Sequence, residues 1–112
     1  MAQKDFDVKI EAGKTVITGV MRLPSPLAFD KYFMPIQDKL AVATENYTID
    51  LSELTFLNSS GVTALARLVL FARDKEKKIT FIMSHEVPWQ EKTLNSLKKL
   101  WENIEIKVNT LT

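Results

Sequence analysis

YTIDLSELTFLNSSGVTALARLVLFARD, Tyr47 to Asp74, changes its apolar period midway, from strand to helix. Its opening residues, Tyr47-Thr48-Ile49-Asp50-Leu51, are rich in aromatic and β-branched types and predict a short buried strand. From Val62 the period changes: Val62, Leu65, Ala66, Val69 and Ala72 recur at helical spacing and predict one apolar face on a helix from about Ser59 to Asp74. Between the two lie Phe56-Leu57-Asn58-Ser59-Ser60-Gly61, two apolar residues followed by small polar ones. Asparagine is a favoured N-cap, so Asn58 would cap the helix, with Ser59, Ser60 and Gly61 in its first turn, where backbone N–H groups lack intrahelical partners.

Those donors, with the positive end of the helix dipole, favour an anion by roughly 0.3–1 kcal/mol at an exposed site. A serine in this turn is a sensible place for a phosphate, which would add about −1.5 to −2 charges beside the N–H groups. Asn-Ser-Ser-Gly is equally ordinary capping chemistry, and composition alone favours that plainer reading.

Asp50-Leu51-Ser52, Leu54 and Phe56-Leu57-Asn58-Ser59-Ser60-Gly61-Val62 together resemble the central signature of STAS domains, the sulfate-transporter and anti-sigma-factor-antagonist family. That signature is a buried strand ending in Asp-Leu-Ser, a short loop, and Asp-Ser-Ser-Gly opening a helix. The resemblance extends more weakly from about Phe6 to Val108. It implies a stand-alone antagonist-like module whose phosphoacceptor is Ser59, the first serine of the pair, with Asn58, Ser60 and Gly61 completing the helix-start site. The implied partners are a GHKL-type serine kinase or anti-sigma factor and a serine phosphatase. Asn58 departs from the pattern, since phosphorylated members usually carry Asp there; Asn keeps the capping acceptor and removes a charge.

Length and composition agree with a small regulatory module. At 112 residues the chain suits one STAS-like domain over residues 1–112. Fifteen basic against fourteen acidic residues leave a net charge of +1, which gives no field for nucleic acid or an anionic membrane. Without cysteine there is no disulfide, thiolate nucleophile or cysteine zinc site. The start, Met1-Ala2-Gln3-Lys4-Asp5, has no apolar run behind it, and no stretch approaches the ~18 apolar residues of a spanning helix, so a cytoplasmic location is expected.

Phe6, Val8 and Ile10 alternate with charged residues, predicting an edge or near-edge strand that forms a hairpin with Thr15–Val20. Gly19 resembles the glycine that commonly ends this second strand in STAS domains. Ser25-Pro26 reads as an N-cap with proline in the first helical position. Phe29, Tyr32, Phe33, Ile36 and Leu40 continue that helix to about Ala43, with a kink or break expected near Pro35. This segment departs most from the family, whose members often carry an acidic residue shortly after the second strand; Asp30 is a weak stand-in. Arg73 to Lys78 reads as a solvated helix end, Ile79–Met83 as a central strand, and His85 as a loop residue. Gln90, Leu94, Leu97 and Trp101 share a helical face, and Ile104, Ile106 and Val108 form the last strand.

The order strand, strand, helix, strand, helix, strand, helix, strand predicts an α/β fold: a mixed, largely parallel sheet of about five strands with about three helices. Ile49, Leu51, Leu65, Val69, Phe81 and Ile82 are expected in its core. At 100° per residue, Thr63, Ala64, Arg67 and Phe71 fall opposite the stripe of Leu65, Val69 and Ala72, and form the candidate partner-binding face. No phosphate loop, HExxH, GxSxG or histidine pair is present, so neither catalysis, a metal nor a cofactor is expected. A protein-interaction switch is the leading expectation. A constitutive STAS-like scaffold, or a module holding a small anion or ligand, is the alternative.

Overall fold

The computed structural model describes residues 5–109; the polar start Met1 to Lys4 lies outside them. Six strands and three helices follow in the order β1 (Phe6–Ile10), β2 (Lys14–Met21), α1 (Pro26–Val42), β3 (Tyr47–Asp50), β4 (Leu54–Leu57), α2 (Ser59–Asp74), β5 (Ile79–Met83), α3 (Pro88–Lys98) and β6 (Ile104–Val108). The sheet runs β1-β2-β3-β5-β6, antiparallel between β1 and β2 and parallel elsewhere.

Expectation and structure differ first at β4, which the sequence reading places in a loop. Long β2 pairs with β3 through Lys14–Val16 and with β4 through Gly19–Met21, so β3 and β4 share one side of the same neighbour. The register shifts between Gly19 and Val20. Gly19 makes this possible at φ 97°, where a Cβ would sit 2.3 Å from the carbonyl oxygen of Asp5.

The crossovers from β2 to β3, β4 to β5 and β5 to β6 all step the same way, and right-handed connections then gather the three helices on one face. The burial pattern agrees with that placement. Ile17, Tyr47, Ile49, Ile79, Phe81, Met83 and Ile104 are buried on the helical side, whereas Val16, Asp50, Ile82 and Lys107 occupy one row of the other face. Ile82 therefore leaves the expected core: strand alternation turns it away from Phe81, and it is half-buried on the open side. The other five expected core residues are buried. Tyr47 is wholly inside; its hydroxyl donates to the Glu11 carbonyl and shares a hydrogen bond with Thr15, and burial raises its pKa.

Helix α1 begins as expected, with Ser25 accepting from the Ala28 N–H and Pro26 in the first turn. It does not break at Pro35 but runs through it as one element. Pro35 and Lys31, the residue whose carbonyl loses its donor, are both exposed, so water can replace the missing bond. Pairing with α1 also changes the buried arc of α2. Alongside Leu65, Val69 and Ala72, the residues Gly61, Ala64 and Leu68 are buried, while Val62 and Ala66 are only partly so. A Cβ on Gly61 would meet Leu57 at 2.3 Å and Phe29 of α1 at 2.9 Å, so glycine here sets how closely the two helices approach.

Candidate functional site

The site begins where β4 gives way to α2. Asn58 is extended at φ −76° and ψ 174°, and its Oδ1 accepts from the Gly61 N–H at 3.0 Å, the capping bond expected from the sequence. Its Nδ2 does a second job, donating to the Leu23 carbonyl at 2.9 Å. Its backbone N–H donates to the Met21 carbonyl at 3.1 Å. Asn58 thus grips the end of β2 on both sides of Arg22. An aspartate could cap α2 but could not donate to Leu23, which gives the asparagine a structural reason.

Ser59 and Ser60 occupy the first helical positions, where N–H groups have no intrahelical partner. Ser59 is exposed and Ser60 half-buried, and neither hydroxyl has a hydrogen-bond partner among the described residues. The first turn of α2 contains no acidic side chain. The turn can therefore receive negative charge without like-charge repulsion from its own residues.

The expected partner face is only partly assembled. Ser59, Thr63 and Arg67 form an exposed line along α2, spaced four residues apart. Ala64 does not belong to it: at 4% exposure it is inside the core, because α2 is buried against α1 as well as the sheet. Phe71 is half-buried and packed on the core, with the Lys75 ammonium 5.8 Å from its ring centre. Arg67 reaches across to Asp30 on α1 at 3.6 Å, an exposed pair worth little in stability that nevertheless joins the two helices at the surface. Leu27 and Met34, one turn to either side of Asp30, are 73% and 56% exposed.

Sequence reasoning missed Leu27, Met34 and a neighbouring pair, Arg22 and Phe56. The Arg22 guanidinium lies 5.1 Å from the centre of the Phe56 ring, itself 43% exposed. No alternation in the sequence marks Phe56, because the register shift opposite Gly19 and Val20 leaves Leu54 and Leu57 both buried and Phe56 exposed between them.

The turn between β3 and β4 stands beside this site and is built differently. Asp50 Oδ1 accepts from the Ser52 N–H at 3.0 Å and from the Ser52 hydroxyl at 2.7 Å, which orders the loop. Gln90, fully buried, donates to the carbonyls of Leu51 and Leu54 and accepts from the Ser84 N–H. Trp89 adds an indole N–H to the Leu54 carbonyl at 3.1 Å. A cleft lined by Ser52, Glu53, Thr55, Ser84, Glu86, Val87 and Asn109 adjoins this turn and does not include Ser59. His85 is exposed, with its Nδ1 3.6 Å from Glu91. Among the described residues no group of His, Asp and Glu converges as metal ligands, and no helix is long and apolar enough to cross a membrane.

No family model matches the chain, and no curated protein sequence matches it. The fold does have solved counterparts. A chain of the crystal structure of diguanylate cyclase SiaD in complex with its activator SiaC from Pseudomonas aeruginosa superimposes with a TM-score of 0.72 at 11% identity, covering 97% of this chain and 96% of that one. SiaC of Pseudomonas aeruginosa gives a TM-score of 0.66, also at 11% identity, over 99% and 94% of the two chains. At this identity the likeness shows the fold.

Proposed function

We propose that the protein is a non-enzymatic regulatory module that docks on another protein through the exposed side of the α1–α2 pair, with Ser59 as its switch. The observation that carries this reading is the exposed Ser59 hydroxyl, free of hydrogen bonds to the described residues, at a capped helix start without acidic side chains. Thr63 and Arg67 extend the surface along α2, and Leu27 and Met34 supply apolar area along α1. The likeness to SiaC, an activator found in complex with a diguanylate cyclase, supports regulation by protein contact over catalysis. One domain spans the chain in this reading, and it acts in the cytoplasm.

In the switch, a GHKL-type serine kinase transfers the γ-phosphoryl group of ATP to Ser59. The Ser59 oxygen bonds to phosphorus, ADP leaves, and the serine proton passes to a base that the kinase supplies, because Asn58 cannot accept one. A serine phosphatase reverses the modification by hydrolysis. The phosphate at the start of α2 changes the charge of the docking face and weakens the complex. A second reading takes its partner class from the SiaC likeness, a diguanylate cyclase, and pairs it with the constitutive scaffold that the sequence leaves as the alternative.

Titration of a purified GHKL-type kinase with the wild type, Ser59→Ala and Ser59→Asp tests the switch. Ser59→Ala should bind as the wild type does, while Ser59→Asp should bind about tenfold more weakly, or about 1.4 kcal/mol. Equal affinity for all three proteins would remove the switch and leave the constitutive module.

A further inference from the structure

Arg22 is a cation whose backbone the fold holds alongside Asn58, the residue before Ser59. Asn58 is hydrogen-bonded to the carbonyls of Met21 and Leu23, the residues flanking Arg22, and Met21 pairs with Leu57 in the parallel ladder. The backbone of Arg22 is thereby fixed alongside Asn58, one residue before Ser59. Its guanidinium has no carboxylate and no hydrogen-bond partner among the described residues, and its contact is the face of Phe56. The position is exposed, so the side chain can change rotamer without repacking the core.

From this arrangement we infer that Arg22 reads the modification state of Ser59, leaving the Phe56 ring to pair with the phosphate and so uncovering that ring in the modified protein. The inference rests on Ser59 being the modified residue. Its energetic direction follows from the two contacts: an exposed cation–π contact is weak, whereas a guanidinium and a phosphate dianion form charge-assisted, frequently bidentate hydrogen bonds. The absence of an acid in the first turn of α2 leaves no competing carboxylate there. Asn58 contributes in the same sense, since an aspartate at its position would hold Arg22 before the phosphate arrived. Modification then alters two exposed side chains of the surface, Ser59 by added charge and Phe56 by uncovering.

The test installs phosphoserine at position 59 during translation, so that no kinase is involved, in the otherwise wild-type chain and in Arg22→Gln. Phosphorus NMR follows the second ionisation of the phosphate, near pH 6 for phosphoserine, which should fall at least about half a unit lower with Arg22 present than with glutamine. Proton NMR follows the Phe56 ring, whose signals should shift between the serine and phosphoserine forms when Arg22 is present and stay in place in Arg22→Gln. Arg22→Lys should keep most of the ionisation shift, because a lysine retains the charge. Equal phosphate ionisation in the arginine and glutamine backgrounds, or Phe56 signals unmoved by the phosphate with Arg22 present, would overturn the exchange. Failure of any kinase to modify Ser59 would strike the earlier reading instead and leave this measurement unchanged.

Discussion

Two turns stand in succession at the carboxyl end of the sheet, one joining β3 to β4 and the other joining β4 to α2, and their polar groups are spent differently. In the first, Asp50, Trp89 and Gln90 use their side chains on the backbone and hydroxyl groups of residues 51–54, and Asn109 Nδ2 donates to the Ser52 hydroxyl at 3.3 Å. Leu51, Ser52 and Leu54 are buried there. In the second, Asn58 alone ties the turn, and Ser59 is left facing water. Chemistry that depends on an unspent hydroxyl and unspent N–H groups belongs to the second turn. Rigidity belongs to the first, which fixes where β4 starts and hence where α2 begins.

The difference between the two turns is most exposed to substitution at Gln90. Its removal in Gln90→Ala leaves the Leu51 carbonyl and the Ser84 N–H without side-chain partners, and the Leu54 carbonyl with only Trp89. The Leu51 carbonyl keeps the Leu54 N–H and only the Ser84 N–H is left unpaired, at about 1–3 kcal/mol, while each of the other two lost hydrogen bonds costs about 0.5–1.5 kcal/mol, so a total loss of about 2–5 kcal/mol is expected in urea unfolding. A loss below about 1 kcal/mol would mean that the first turn is not locked in this way.

Phe71→Ala comes next. The sequence places Phe71 on the docking face, but its packing on the core predicts a stability loss of about 1–3 kcal/mol, read as a lowered melting temperature. Asn58→Ala should cost about 1–2 kcal/mol, since one cap and one tie to Leu23 disappear together. Asn58→Asp sharpens the point: it keeps the cap, gains a favourable charge at the helix start and loses the Leu23 bond, so it should fall between Asn58→Ala and the wild type. The smallest effect is expected at Ser59, where alanine should change stability by no more than about 0.5 kcal/mol.

How far the sequence could be read follows from the range of the interactions involved. Alternating and helical periods report which side of an element is apolar, and they locate β1, β2, β3, β5, β6 and all three helices. The cap at Asn58 is equally local, because its acceptor and the Gly61 N–H lie three residues apart. Four-residue β4 has its two buried positions at its ends, so no alternation marks it. The bonds from Gln90 span 36 and 39 residues, and a glutamine on an apolar stripe does not reveal its distant partners. A single core stripe puts Ala64 on the surface, whereas a helix packed on both a sheet and another helix buries a wider arc. Arg22 and Phe56 meet only because β4 pairs with the far end of β2, a contact invisible until β4 itself is recognised.

Intact-mass measurement after incubation with a GHKL-type serine kinase and ATP decides whether Ser59 is the switch. Wild type and Ser60→Ala should each gain the mass of one phosphoryl group, and Ser59→Ala should gain none. A phosphoryl group that still appears on Ser59→Ala, or that is lost only in Ser60→Ala, would mean that Ser59 is not the switch.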